Sequence, residues 1–282
     1  MNSSASRVEK RRRQSQGEFE IPRVAFAWTT LEGVPLAADQ AEAQFPAAST
    51  MKILVMIGIY RECDRGRLDL DREVVVATEF RSVQKDQSFG LTADEADEEL
   101  ALVAGRPAPV RDLLERMITR SSNHATNLLM ELTGVPPLGT ILRDLGATGS
   151  RLERSIGDYQ AEASGISNVV TPLDLCRVLA GIASGRAASP SSCHDMIALL
   201  CRQKDRAGIP AGIGAGARVA NKTGWDPGLR HDAALVWPND GPGYCLAVCT
   251  SGFDSDAAAK IEIQARSRAC YEERQLVAER QS

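Results

Sequence analysis

The order of apolar and polar positions predicts a strand hairpin at the start of the chain and helices after it. Residues 24–28 and the neighbourhood of residues 33–38 have the alternation and turn residues typical of a hairpin. From residue 51 to about residue 200 the apolar positions recur mostly at helical spacing, for example over residues 110–118. The first two hundred residues therefore predict a short hairpin followed by a helical region.

The last third of the chain returns to strand patterning. Three apolar runs predict strands, at residues 219–222, 233–237 and 244–250, and a long amphipathic helix follows over residues 256–279. The hairpin and these strands must come together as one antiparallel sheet. The predicted fold class is therefore α/β (α+β), an antiparallel sheet flanked by terminal helices, with an inserted all-helical domain.

This pattern predicts where the domains divide. We assign residues 21–48 and 212–282 to the sheet domain and residues 49–211 to the helical domain, with the active site in the crevice between them. Residues 1–20 are polar, rich in Ser and Gln, and carry a basic cluster, so we expect a disordered arm there.

Composition narrows the class of protein. The chain has 282 residues, 43% of them hydrophobic and 25% charged, which is enough to bury a substantial core. A net charge of −4 argues against a nucleic-acid partner, and no run of residues approaches the roughly 18 apolar residues of a membrane span. No apolar segment of the secretory type follows the arm, so if Met1 is the natural start we expect a cytoplasmic protein.

The cysteine count fits the same expectation. The chain has seven cysteines, an odd number that suits a reducing compartment, and their spacing matches no metal-ligand pattern. We therefore expect no disulfide, no metal and no other cofactor.

Candidate chemistry begins at Ser49 and Lys52. A Ser-x-x-Lys pair on one helical turn places a hydroxyl beside an amine that can take its proton, which makes the serine a nucleophile. An apolar run from residue 51 to residue 60 predicts a buried helix, with Ser49 at its N-terminus. The free N–H groups of a helix N-terminus favour developing negative charge.

Two further motifs offer groups that this nucleophile would need. Ser121 has a second hydroxyl that could relay a proton to a leaving nitrogen, and the Asn123 amide could hold a substrate amide. Lys222 supplies a positive charge for a substrate carboxylate, assisted by Thr223, and Gly224 allows close backbone approach. If these residues form an edge strand, a substrate amide could lie along it.

With these motifs in this order, the chain resembles the class A β-lactamases and related serine hydrolases of the penicillin-recognising superfamily. The resemblance runs from about residue 23 to the C-terminal helix and extends beyond the minimal motifs, to Phe-Pro-Ala-Ala before Ser49 and to Asn127 after Asn123. It implies the fold predicted above, an acyl-enzyme on Ser49, and an oxyanion hole formed by the backbone N–H groups of Ser49 and Trp225.

Two departures from the family pattern affect this interpretation. The family has an aspartate between the positions of Ser121 and Asn123, where this chain has Ser122, and that aspartate is largely structural.

Arg230 could add a second charge for a substrate carboxylate, as an arginine on the neighbouring strand does in the family. His231 follows it, and because adjacent strand residues face opposite sides, we expect local packing rather than a triad.

The second departure concerns release of the acyl group. In class A β-lactamases a loop glutamate activates the water that frees the enzyme, and here Glu153, preceded by Arg151, is the candidate. Gly157 stands where the family has a water-holding asparagine. An alternative alignment through Leu152, Arg154 and Asp158 matches related hydrolases and leaves Glu153 as a surface charge.

Two enzymatic functions and one non-enzymatic function are compatible with these residues. The first is β-lactam hydrolysis, with Ser49, Lys52, Ser121 and Glu153 as catalytic residues. The second is a cytoplasmic esterase, amidase or acyl transferase that uses the same Ser49 site on another small acyl substrate without relying on Glu153. The third is a non-catalytic binder, which would have no need for a nucleophile and a base together.

Overall fold

The computed structural model describes residues 21–281, so the predicted N-terminal arm lies outside the described residues. The main sheet has five antiparallel strands in the order β2-β1-β11-β10-β9. Its strands are β1 (Arg23–Thr30), β2 (Pro35–Asp39), β9 (Ala217–Asp226), β10 (Leu229–Pro238) and β11 (Tyr244–Ser251). The predicted joining of the N-terminal hairpin to the C-terminal strands is confirmed, and β9 forms one edge of the sheet.

The helices of the described chain lie between β2 and β9 and after β11. They are α1 (Lys52–Asp64), α2 (Glu98–Ala101), α3 (Val110–Thr119), α4 (Asn123–Thr133), α5 (Val135–Asp144), α6 (Tyr159–Ala163), α7 (Pro172–Ala183), α8 (Pro190–Cys201), α9 (Ile209–Ile213) and α10 (Asp256–Gln281). No helix among residues 21–281 is long and apolar enough to cross a membrane. The predicted helical region and C-terminal helix are confirmed, whereas the exact domain boundaries stay a prediction.

Short strand pairs interrupt the helical region, which the apolar spacing did not predict. They pair β3 (Phe45–Pro46) with β8 (Val169–Val170), β4 (Glu73–Val75) with β7 (Pro107–Pro109), and β5 (Glu79–Arg81) with β6 (Ser88–Gly90). Each strand has only two or three residues, too few for a periodic signal. The β3–β8 pair matters for the site because it ties the segment before Ser49 to the end of the loop at residues 151–168.

The main sheet separates two apolar cores. On β10, Ala233 and Leu235 belong to the larger core, which includes the buried face of α1. The alternate residues Ala234 and Val236 belong to the smaller core, which includes Ile263 of α10. Since successive strand residues face opposite sides of a sheet, side chains on the face of Ala233 point towards the helical region.

Helix α1, which begins at Lys52, is buried along most of its length. Its residues from Lys52 to Tyr60 are all buried, and Gly58 lies against α5. A methyl group added at Gly58 would overlap the Cδ2 methyl of Leu138, a fully buried residue of α5. Gly58 therefore sets the distance between α5 and the helix that carries Lys52.

We predict that Gly58→Ala lowers the free energy of unfolding by about 1–3 kcal/mol, because the added methyl group overpacks the contact with Leu138. The matched control is Gly139→Ala in α5, where an added Cβ meets no atom within 4 Å. Alanine favours the helix there, so we expect a gain of up to about 1 kcal/mol. Urea unfolding of the three proteins measures both changes, and equal effects at the two sites would contradict the close contact.

Candidate active site

Ser49 lies in a 3₁₀ turn, Ala48–Met51, that runs directly into α1. The residue before it, Ala48, has a φ of +43°, in the left-handed region that non-glycine residues rarely occupy. Such conformations persist where the surrounding structure imposes them, and they concentrate at functional sites. The predicted position of Ser49 at a helix N-terminus is confirmed, and its side chain is half-buried.

Lys52 is completely buried one turn after Ser49. Its Nζ donates to the Ser121 carbonyl oxygen at 2.5 Å and to Asn123 Oδ1 at 2.7 Å, and it lies 3.2 Å from Ser121 Oγ. Burial, followed by the nearby charge of Lys222, lowers the pKa of Lys52 well below its usual value. The Ser49–Lys52 motif and the Ser121–Asn123 motif therefore meet at Lys52.

Lys222 reaches the same hydroxyl from β9. Its Nζ lies 3.1 Å from Ser121 Oγ and 2.8 Å from the Thr223 carbonyl oxygen, and the residue is fully buried. Burial lowers the pKa of Lys222 to about 7, while the charges of Asp232 and Asp205 act in the opposite direction. Lys222 on β9, Lys52 on α1 and Ser121 before α4 thus meet at one oxygen atom, Ser121 Oγ.

Ser121 precedes α4 in a left-handed conformation, with a φ of +61°. The next residue, Ser122, caps α4 by accepting the Ala125 backbone N–H at 3.1 Å. Ser122 therefore performs an N-cap role at the place where the resemblance implied an aspartate. Asn123 begins α4 and holds Lys52, so the turn, the cap and the helix together fix the position of Ser121.

The edge strand β9 passes close to the nucleophile. A Cβ added at Gly224 would lie 3.2 Å from the Ser49 backbone nitrogen and 3.1 Å from Thr50 Cγ2, which leaves little room for a side chain. The predicted edge strand is confirmed. Trp225 follows with an exposed side chain, and the oxyanion hole formed by the N–H groups of Ser49 and Trp225 stays a prediction.

His231 supports the site from the strand next to β9. It is fully buried, and burial lowers its pKa. Its Nε2 lies 2.9 Å from the Pro46 carbonyl oxygen, and its Nδ1 accepts the Thr250 backbone N–H at 3.2 Å. The ring therefore ties the sheet to the segment that leads into Ser49, in agreement with the expected local packing.

Arg230 does not join Lys222 as expected. It is buried, bonds to the Asp205 carboxylate, and has its Nη1 3.4 Å from Asp256 Oδ1. Its strand neighbour across β9 is Trp225, whereas the neighbour of Lys222 is Ala233, so Arg230 and Lys222 face opposite sides of the sheet. Two carboxylates already hold this guanidinium, which argues against the predicted contact with a substrate carboxylate.

Glu153 is also separate from Ser49, Lys52 and Ser121. Its side chain is 42% exposed, its Oε2 lies 3.6 Å from Arg151 Nε, and it accepts the Ser167 backbone N–H at 3.4 Å. It lines an open cleft of about 1240 Å³ together with Glu62 at the end of α1 and Arg143 of α5. Neither Ser49 nor Lys52 lines that cleft, so the structure argues against Glu153 as the deacylation base.

The loop residue that bonds to α4 is instead Ile156, which the sequence did not indicate. The Asn127 side chain accepts the Ile156 backbone N–H at 3.1 Å and donates to the Ile156 carbonyl oxygen at 2.8 Å. Asn127 lies one helical turn after Asn123, on the same face of α4. The spacing of the two asparagines was a signal that both residues face the site, but it did not show which loop residue they meet.

No cluster of three or more His, Cys, Asp or Glu side chains suited to a metal ion occurs within residues 21–281. All seven cysteines lie in that range and are free thiols. Two amines, an amide and a hydroxyl meet at Lys52 Nζ and Ser121 Oγ, one helical turn from Ser49 at the N-terminus of the helix. Such a set can perform nucleophilic acyl transfer on a carbonyl substrate.

Comparison with known proteins agrees with this chemistry. The model of the β-lactamase enzyme family matches residues 14–273. A β-lactamase from Streptomyces fradiae is 29% identical over 265 residues, which cover 90% of this chain and 81% of that protein. The crystal structure of a β-lactamase from Sphaerobacter thermophilus DSM 20745 is 28% identical, with a TM-score of 0.78, covering 90% of this chain and 92% of its own. PBP-A, at 24% identity and a TM-score of 0.77 over 95% of both chains, shares the fold.

The family match covers most of the chain and includes all three motifs around Ser49. The resemblance to the class A β-lactamases, stated from the motifs, is thereby confirmed. The chain belongs to the β-lactamase enzyme family and is a hydrolase of the β-lactamase type.

Proposed function

We propose that this enzyme opens β-lactam rings by forming an acyl-enzyme on Ser49. The observation that carries the proposal is the shared hydroxyl of Ser121, which lies 3.2 Å from Lys52 Nζ and 3.1 Å from Lys222 Nζ. This oxygen connects a base beside the nucleophile to a cation on the substrate-binding strand.

In the proposed reaction, Lys52 takes the proton of Ser49 while Ser49 Oγ attacks the ring carbonyl carbon. The backbone N–H groups of Ser49 and Trp225 stabilise the oxyanion, and each such donor contributes roughly 3–4 kcal/mol to the transition state. The carbon–nitrogen bond then breaks, and Ser121 delivers a proton to the leaving nitrogen. Lys52 restores the proton of Ser121, so the proton taken from Ser49 reaches the nitrogen.

Substrate binding in this proposal uses the edge strand. Lys222, assisted by Thr223, pairs with the substrate carboxylate, and the substrate amide lies along the free edge of β9 opposite Asn123. Close approach is possible because position 224 is a glycine, where any side chain would press on Ser49 and Thr50.

A second candidate is an esterase, amidase or acyl transferase acting on another small acyl substrate with the same Ser49, Lys52 and Ser121. One observation favours it: Glu153, the expected deacylation base, points into a different cleft. The two candidates share acylation of Ser49 and differ in what the enzyme does with a β-lactam.

An intact-mass time course with a chromogenic cephalosporin separates these candidates. Continuing colour with a transient adduct supports β-lactam hydrolysis. A lasting adduct with a single burst of colour supports acylation with slow release. An absence of both colour and adduct would contradict the proposed function and direct the search to other acyl substrates.

We predict that Ser49→Ala abolishes the adduct and lowers β-lactam turnover by a factor on the order of 10⁴ or more, because the nucleophile is lost. Thermal unfolding should be close to that of the wild type. The matched control is Ser191→Ala on the exposed surface of α8, which should retain both adduct and turnover. Adduct formation by the Ser49 variant would refute the assignment of the nucleophile.

We also predict a pH effect from Lys222. With a pKa of about 7, the amine loses its charge progressively as pH rises through the neutral range. The ratio of kcat/KM for a carboxylate-bearing cephalosporin to that for its neutral ester should therefore fall as pH rises from 6 to 9. The ratio isolates Lys222, because ionisation of Lys52 affects both substrates alike.

The control for this effect is Lys222→Arg, since a guanidinium stays charged across the whole range. In that variant the ratio should no longer depend on pH. A wild-type ratio that is constant from pH 6 to 9 would show that Lys222 does not pair with the substrate carboxylate as a titrating group.

A further inference from the structure

We propose that the open cleft lined by Glu153 is a binding site for a small organic anion, separate from the Ser49 site. The cleft lies between the end of α1, helix α5 and the start of the loop at residues 151–168. Four arginines and two glutamates line it, so its charged side chains carry +2 in a chain whose net charge is −4. We call it the arginine cleft, after Arg65, Arg67, Arg143 and Arg151.

Two of these arginines share a single carboxylate. Arg67 Nε and Nη2 each lie 2.6 Å from an oxygen of Glu62, in a bidentate pair. Arg65 Nη1 lies 2.9 Å from Glu62 Oε1. Because one carboxylate serves two guanidinium groups, this part of the cleft keeps one positive charge in excess.

Arg143 extends from α5 without a carboxylate partner. Its side chain is exposed, and its guanidinium makes no hydrogen bond or ion pair within residues 21–281. The next residue, Asp144, is already bound by Arg61, whose Nη1 lies 2.6 Å from Asp144 Oδ2. One helical turn before Arg143, a Cβ added at Gly139 would meet no atom within 4 Å. This wall of the cleft is therefore open to a ligand.

Arg151 begins the loop and has only a distant partner. Its Nε lies 3.6 Å from Glu153 Oε2, which is too far for a hydrogen bond. Asn168 brings no charge to this arginine, and its Oδ1 already accepts the backbone N–H groups of Glu153 and Arg154. The Arg151 side chain is 46% exposed, so it is available to an anion from solution.

The arginine cleft also offers apolar and hydroxyl surface. Leu142, Ala147 and Leu152 contribute to its lining and belong to the larger apolar core. Thr148 adds an exposed hydroxyl-bearing side chain to the same lining. Small-molecule sites usually combine apolar lining with a few polar groups that orient the ligand. The cleft therefore suits an anion that has a hydrocarbon part.

These groups select a doubly charged organic anion, either a phosphate monoester or a dicarboxylate. Planar guanidinium groups match the oxygens of both. Arg143 and Arg151 have no close carboxylate, and a dianion would balance the +2 charge of the lining. Because the rest of the chain carries a net negative charge, the attraction is confined to the cleft, which favours a small ligand over an extended nucleic acid.

The test is isothermal titration calorimetry of phenyl phosphate and of phthalate at pH 7.5 and low ionic strength. We expect binding to the wild type that is tighter than binding of inorganic phosphate, which lacks a hydrocarbon part. The tighter of the two probes identifies the class of dianion. We expect Arg143→Gln and Arg151→Gln each to raise the Kd of that probe by about 10-fold, because each removes a charge-assisted contact. Glu153→Gln should lower the Kd, because it removes the carboxylate beside Arg151.

Two further variants serve as controls. Arg186→Gln removes the same charge from an exposed position outside the cleft and should keep the wild-type Kd. Lys222→Ala removes a cation of the Ser49 site that could itself attract the probe, and it should also keep the wild-type Kd. Arg143→Gln loses no partner, so its thermal unfolding should match that of the wild type, and weaker binding then reports the lost contact.

Three results would overturn the inference. They are no binding of either dianion to the wild type at millimolar concentration, an equal loss of affinity in Arg143→Gln and Arg186→Gln, and loss of binding in Lys222→Ala alone. None of them bears on the acylation of Ser49, which adduct formation with a cephalosporin tests separately. A protein that binds phenyl phosphate through Arg143 but forms no adduct would support this inference and contradict the proposed function alone.

Discussion

Two lysine side chains are buried around one hydroxyl, and much of the site follows from the cost of placing them there. Removing an ion from water costs several kcal/mol, and two like charges in contact add repulsion. The charges of Asp232 and Asp205 raise the pKa of Lys222 and so oppose the effect of burial there, whereas burial and the charge of Lys222 both lower the pKa of Lys52. A positive charge is therefore favoured on Lys222 over Lys52. Adjacent groups whose environments separate their pKa values are the usual way in which a site assigns acid and base roles.

The protein around this pair is arranged to hold short segments in place. His231 connects the sheet to Pro46, just before the turn that carries Ser49. Asn168 accepts the backbone N–H groups of Glu153 and Arg154, and its Nδ2 lies 3.2 Å from Met51 Sδ. These buried hydrogen bonds link the loop, the turn and the sheet. The unusual backbone angles at Ala48 and Ser121 occur where that network constrains the chain.

The sequence was sufficient to predict the sheet and the helical insertion, because their periodicity is a local signal. The convergence of Lys52, Ser121 and Lys222, which are successively 69 and 101 residues apart, was implied by the family resemblance of the three motifs. Glu153 and Arg230 depend on distant partners instead. The hydrogen bonds of Asn127 determine which loop residue meets α4, and they select Ile156 although Glu153 lies only three residues earlier. Arg230 is held by Asp205 and Asp256, neither of which is near it in sequence. No periodic pattern in the sequence predicts either of these two sets of interactions.

The open edge of β9 has a consequence beyond substrate binding. A strand edge with free N–H and carbonyl groups can pair with a strand from another molecule as readily as with a substrate, and soluble proteins usually protect such edges. Here the middle of the edge is approached by the turn that carries Ser49, which meets Gly224 closely. Because this turn lies close to the middle of the edge, it also limits pairing of β9 with a strand from another molecule. Changes that widen it to admit bulkier substrates would expose more of the strand and increase the tendency of the protein to aggregate.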